Sequence, residues 1–178
     1  MTSYERFVAV LDHKPVDQTP IAISPWGRTV ERWRNEGHIG PEEDVAEHFG
    51  QDIRSGGWLS SVADLDFEPK VLEETEETVL TLDGNGAMLR RHKLHDSTPE
   101  HVDFTVKDRT GWEEHVKPHL VDLDRRRIPF EGYRNAKAFA AEKQRYFCWG
   151  GVAPFEQIHP VCGHEYMLMG MALDPDWV

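Results

Sequence analysis

RYFCWGGVAPF, residues 145–155, runs through Tyr146, Phe147, Cys148 and Trp149 to a pair of glycines with no polar residue between. A strand that lacks polar alternation is buried on both faces, the condition of a strand in a parallel sheet covered by helices. The spacing predicts a helix upstream, from about Tyr133 to Gln144, and another downstream, from about Gly163 to Leu173, that covers the strand. Helix, strand and helix in this order define an α/β protein, with a closed barrel or a doubly wound sheet as the candidate architectures.

The pattern extends toward the N-terminus. Thr2 and Glu5 stand in capping-box spacing before Phe7, Val8 and Leu11, and Pro15 closes that helix. TPIAIS, residues 19–24, has the β-branched character of a short buried strand. RTVERWRNEG carries Val30 and Trp33 on one helical side with Gly37 as the stop, and a third helix is expected from Pro41 to Phe49, ending at Gly50. The region from about 71 to 106 differs, because Asn85-Gly86 sits between two strand-like runs and predicts an antiparallel β-hairpin inserted between helices. TGWEEHV places Thr110 and Glu113 in capping-box spacing, with Pro118 as terminator. The Arg125–Arg127 run reads as a solvated loop, with a phosphate site as the alternative. LDPDWV, residues 173–178, reads as a helix opening, with Asp174 as N-cap and Pro175 in the first turn.

Charge narrows the partners. A net charge of −12 over 178 residues argues against nucleic acid, which requires a basic face, and leaves small molecules as the expected ligands. No apolar stretch approaches a bilayer span and no leader pattern follows Met1, so the expectation is a cytoplasmic protein away from membranes. Two cysteines, Cys148 and Cys162, give no disulfide framework. His159, Cys162 and His164 form a compact HPVCGH whose nitrogen and sulfur atoms suit zinc. Three ligands so close rarely converge without a fourth, so the stretch reads as a buried cysteine beside a helix N-terminal histidine, and the sequence assigns no metal ligand. His115 and His119 have helical metal spacing, but Pro118 breaks their shared face.

MTSYERFVAVLDHKPVDQTPI resembles the opening of the uroporphyrinogen decarboxylase family: a capped helix, a His-Lys-Pro-x-Asp turn and a first strand. TVERWRNEG, HFGQD and GGVAPFE followed by GHEYMLMGMALDPDWV continue the resemblance in order along nearly the whole chain. The resemblance implies a (β/α)8 barrel with its site at the C-terminal ends of the strands. Such a barrel takes roughly 250 residues, so the chain is expected to be its N-terminal part, with the antiparallel hairpin inserted. The family contains true porphyrinogen decarboxylases, which need no cofactor, and methyltransferases, which work with a cobalamin (corrinoid) protein and zinc. The zinc ligands of those methyltransferases fall in the later half of the barrel.

Four site residues follow from the resemblance. Decarboxylases carry two arginines after the first strand for substrate carboxylates; here SPWGR keeps the second as Arg28, while Ser24 stands where the first would be. The loss of one bidentate partner weakens a porphyrin polycarboxylate as substrate. Asp52 in FGQDI matches an aspartate that faces pyrrole N–H groups, where a carboxylate stabilises a cationic intermediate. Glu156 and His159 follow the Gly-Ala-Pro-like loop as an acid and base pair, in a neighbourhood where decarboxylases have a tyrosine. Each has an ordinary alternative: a helix-start arginine for Arg28, a turn aspartate for Asp52, a helix-start carboxylate for Glu156. The expected function is therefore a divergent enzyme acting on a small carboxylated substrate or in corrinoid-linked methyl transfer. A true decarboxylase and a non-catalytic half-barrel that pairs with itself or another chain are the alternatives.

Overall fold

The computed structural model describes residues 1–150 and 153–178. In chain order the elements are α1 (Ser3–Leu11), α2 (Gly27–Asn35), α3 (Val45–His48), β1 (Ile53–Ser55), β2 (Lys70–Glu74), β3 (Thr78–Leu82), β4 (Ala87–His92), β5 (Glu100–Phe104), α4 (Arg109–His115), α5 (Lys117–Leu120), α6 (Phe130–Glu142), β6 (Tyr146–Cys148) and α7 (Pro154–Leu173). They form two compact units, residues 1–59 with 128–151 and residues 60–127 with 152–178. The protein is mixed α/β, with one parallel and one antiparallel sheet and no closed barrel among the described residues.

In the first unit, β1 and β6 pair in parallel, Ile53 opposite Tyr146 and Ser55 opposite Cys148. Hydrogen bonds continue on both sides, from Tyr146 N–H to the Asp52 carbonyl (2.9 Å) and from Gly56 N–H to the Cys148 carbonyl (2.9 Å). The apolar run thus forms a parallel strand, over fewer residues than its hydrophobicity suggests, and its part at 151–152 lies outside the described residues. α1 begins with the complete capping box, the Thr2 hydroxyl accepting from Glu5 N–H and the Glu5 carboxylate from Thr2 N–H. Phe7 stacks on Tyr146 with ring centroids 4.4 Å apart, which ties this helix to β6.

TPIAIS does not form a regular strand, and it is not buried: Ile21 is 39% exposed. It is held beside β1 by the Asp52 N–H to the Ile21 carbonyl (2.9 Å) and the Gln51 side chain to the Ile23 carbonyl (2.9 Å). The helix expected from Pro41 to Phe49 is a single turn, because Asp44 caps it by accepting from Glu47 N–H and leaves the preceding residues in turns.

In the second unit, the Asn85-Gly86 hairpin is the centre of a four-stranded meander ordered β2-β3-β4-β5. The Asp83 carboxylate accepts from the N–H groups of Asn85 (2.9 Å) and Ala87 (3.0 Å), which fixes the β3–β4 turn. α7 packs on β5 and β4. The core gathers Ala63, Val106, Val116, Val161, Cys162 and Met167 beneath Trp112, Ile158, Tyr166, Trp177 and Val178.

Four local expectations change here. The cap of α4 is Asp108, accepting from Gly111 N–H, because its short carboxylate reaches the first turn while Thr110 lies inside it. Pro118 starts α5 rather than merely ending α4. Arg127 is buried, and its guanidinium donates to the carbonyls of Ser60, Val62, Ala63 and His119, so the arginine run is not simply a solvated loop. α7 starts at Pro154, and Asp174 is its C-cap, paired with Arg109 at 2.7 Å; residues 175–178 turn back onto the core instead of opening a helix.

Candidate functional site

Beyond the carboxyl ends of β1 and β6, in the first unit, lies a cavity of about 350 Å³ lined by Leu59, Ile128, Phe130, Tyr133 and Trp149. Its walls come from the segments that follow the two parallel strands and from the start of α6. The Tyr133 ring meets Trp149 edge-on at 4.9 Å and Phe147 at 5.1 Å. Gly56 and Gly150 make this packing possible, since a Cβ on the first would lie 2.7 Å from the Trp149 ring and on the second 2.6 Å from the Trp58 ring. The lining residues are apolar and aromatic, with the Tyr133 hydroxyl and the Trp149 indole N–H as their side-chain polar groups; such a surface holds a small hydrophobic molecule and excludes water from it.

The residues expected from the sequence fall in three places, and none lines this cavity. Arg28 lies in the first turn of α2, exposed, with Nη1 2.8 Å from Glu31. Asp52 is fully buried and accepts from the Arg6 guanidinium and from Ile21 N–H at 2.7 Å. Burial pushes its pKa up, but the Ile21 N–H, the Ser3 hydroxyl and the Arg6 guanidinium outweigh that and hold it below the usual carboxylate range. Arg6 also holds Asp17 through Nε and Nη2, so the two carboxylates share one guanidinium. In this arrangement Asp52 joins α1 to the strand edge.

Glu156 and His159 are brought together in the second unit, where the carboxylate meets Nε2 of His159 at 3.1 Å, one turn along α7. The other ring nitrogen of His159, Nδ1, is buried and has no hydrogen-bond partner. α7 is broken at Gly163, whose backbone (φ 72°, ψ 165°) is not helical. Residues five apart on a continuous helix lie about 140° apart around its axis, whereas here the rings of His159 and His164 stack 4.5 Å apart. Only glycine suits the break: its φ is positive, and a Cβ would strike the Phe104 ring, 2.9 Å from Cδ2.

His101, on β5, completes a cluster with His159 and His164, one ring nitrogen from each lying within 4.8 Å of the others. Burial and the neighbouring His159 and His164 hold His101 below the ordinary histidine pKa, so it is neutral at pH 7. His101 and His164 line a cavity of about 290 Å³ together with Asp103, Phe104, Glu165 and Tyr166. Cys162, the sulfur of HPVCGH, does not act as a soft ligand in this arrangement: burial pushes its thiol up to about 11, and Sγ faces the Ile158 carbonyl at 3.7 Å. The sequence pairs His159 with His164, but His101 lies 58 residues away (159 − 101) on a strand and only the meander's register brings it near.

No known protein family, curated protein or solved structure matches the chain.

Proposed function

We propose that the chain is part of an enzyme of the uroporphyrinogen decarboxylase type, working in corrinoid-linked methyl transfer from a small, largely apolar methyl donor. The observation that carries this reading is the apolar cavity beyond the carboxyl ends of two parallel strands, the position at which (β/α)8 enzymes hold their substrates. The resemblance of the HKPVD turn, HFGQD and GGVAPFE to that family supports it from the sequence side. Between the family's two chemistries, the lining favours methyl transfer. A porphyrinogen with several carboxylates needs paired arginines at its site, and about 350 Å³ walled by Leu59, Ile128, Phe130, Tyr133 and Trp149 supplies none. In this reading Tyr133 positions an oxygen of the donor, and Trp149 and Phe130 hold its apolar body.

Quenching of tryptophan fluorescence tests the proposal, with a methoxyphenol and a porphyrin tetracarboxylate as competing probes. Saturable quenching by the methoxyphenol, weakened about tenfold in Tyr133→Phe and lost in Trp149→Ala, is the expected result. Saturable binding of the porphyrin instead would return the chain to decarboxylation, and binding of neither probe would overturn the enzyme reading.

A further inference from the structure

We propose that His101, His159 and His164 form a binding site for a divalent transition-metal ion of the zinc class, with a fourth coordination position open to water or to an oxygen ligand. The inference is independent of the substrate cavity, because every residue it uses belongs to the second unit.

The donor set comes first. Three imidazole nitrogens suit zinc, copper, nickel and cobalt, and they do not suit magnesium or calcium, which require oxygen. Three protein nitrogens with a vacant fourth position are the arrangement of zinc sites that exchange a ligand, as opposed to closed four-ligand structural sites. Zn–N bonds of about 2.0–2.1 Å in a tetrahedron put the nitrogens roughly 3.3 Å apart. The donor atoms here lie within 4.8 Å of one another, so an ion draws them together by side-chain rotation. His164, at the surface, is free to make that movement.

The surroundings are those of a ligand set. Glu156 lies against Nε2 of His159 at 3.1 Å, so Nδ1 is the ring nitrogen that remains for an ion. That nitrogen is buried with no partner, a costly state for a polar atom unless something binds it. A carboxylate on the far side of a ligating imidazole also fixes its tautomer and raises its basicity. Glu156 is thus a positioning residue for the ion. The break at Gly163 places two rings of one helix on the same point, and β5 delivers the third. His101 and His164 also line the cavity of about 290 Å³, whose wall includes Asp103, Glu165 and Tyr166, and that space gives a fourth ligand access.

Titration of the full chain with zinc and with cobalt, followed by calorimetry and by the visible cobalt spectrum, tests the site. One ion per chain is expected, with a four-coordinate cobalt spectrum that lacks a thiolate charge-transfer band. His101→Ala and His159→Ala should each weaken binding at least 100-fold, and Glu156→Gln about tenfold. His164→Gln serves as the variant that leaves the fold intact, since its side chain is exposed, and it should lose the site while circular dichroism stays unchanged. Cys162→Ser and His38→Ala, the latter in the first unit, should bind as the parent does. Absence of stoichiometric binding, full affinity in His101→Ala or His164→Gln, or a thiolate band would each overturn the proposal.

Discussion

Asp52 carries a charge into a fully buried place, and the neighbours that tolerate it determine how the protein responds to acid. Arg6 serves both Asp52 and Asp17, and hydrogen bonding to that guanidinium, against the cost of burial, holds Asp17 well below the carboxylate range. Both carboxyls bind fewer protons in the folded chain than in the unfolded one, where they titrate near 4. Stability from this network is therefore fully present above about pH 5 and drains away as the pH falls through 4 and below. Urea unfolding between pH 7 and pH 3 should show the midpoint falling in that window, more gently in Asp17→Asn; a flat profile would refute the network. Asp52→Ala leaves Arg6 and the Ile21 N–H short of a buried acceptor and should cost about 3 kcal/mol. The sequence marks Asp52 but not its partner, because Arg6 stands 46 residues away in what reads as an ordinary amphipathic helix. Arg127 was equally illegible: three successive arginines look solvated until four backbone carbonyls turn toward one of them.

Elements whose signals are local are the ones that could be read from the sequence. The Thr2–Glu5 capping box and the Asn85-Gly86 turn each draw on residues within a few positions, and both appear as expected. The break in α7 could not be read this way, because it depends on Phe104 of β5 lying against Gly163. That contact gives a paired prediction. Gly163→Ala combines a positive φ with a clash against an aromatic ring and should cost about 2 kcal/mol or more, while also separating His159 from His164 and abolishing metal binding. Gly132→Ala, inside α6 with its nearest neighbour 3.9 Å away, should instead stabilise by about 0.5–1 kcal/mol. Thermal melts of the two variants check the contrast, and equal shifts in both would show that the helix break is not required. The HPVCGH motif was legible as a cluster of metal-type side chains, yet its sulfur belongs to the core and its third nitrogen comes from a strand. Sequence spacing alone does not reveal that exchange of ligands.

For the whole molecule, the described residues of the first unit form a parallel pair of two strands, below the three or more that make a sheet independently stable. Its segment 19–24 bonds to Gln51 and Asp52, just before β1, through isolated contacts, and Ile21, Trp26 and Trp58 remain 39%, 57% and 57% exposed. Unpaired strand edges flanked by exposed apolar side chains are templates for association. The net charge of −12 works against this by self-repulsion, which salt screens. Association should therefore increase with ionic strength as well as with concentration. Light scattering coupled to size exclusion should give a mass above the 20.5 kDa of one chain, rising with added salt. Substituting Ile21 and Trp26 with lysine and serine should shift the population back toward one chain, because both side chains are exposed and lie in or next to segment 19–24. A protein that stays at 20.5 kDa at every concentration and salt level, and unfolds in a single cooperative step, would mean that the two-strand sheet is sufficient by itself. That result would remove the half-barrel alternative, whose uncovered edges demand a partner.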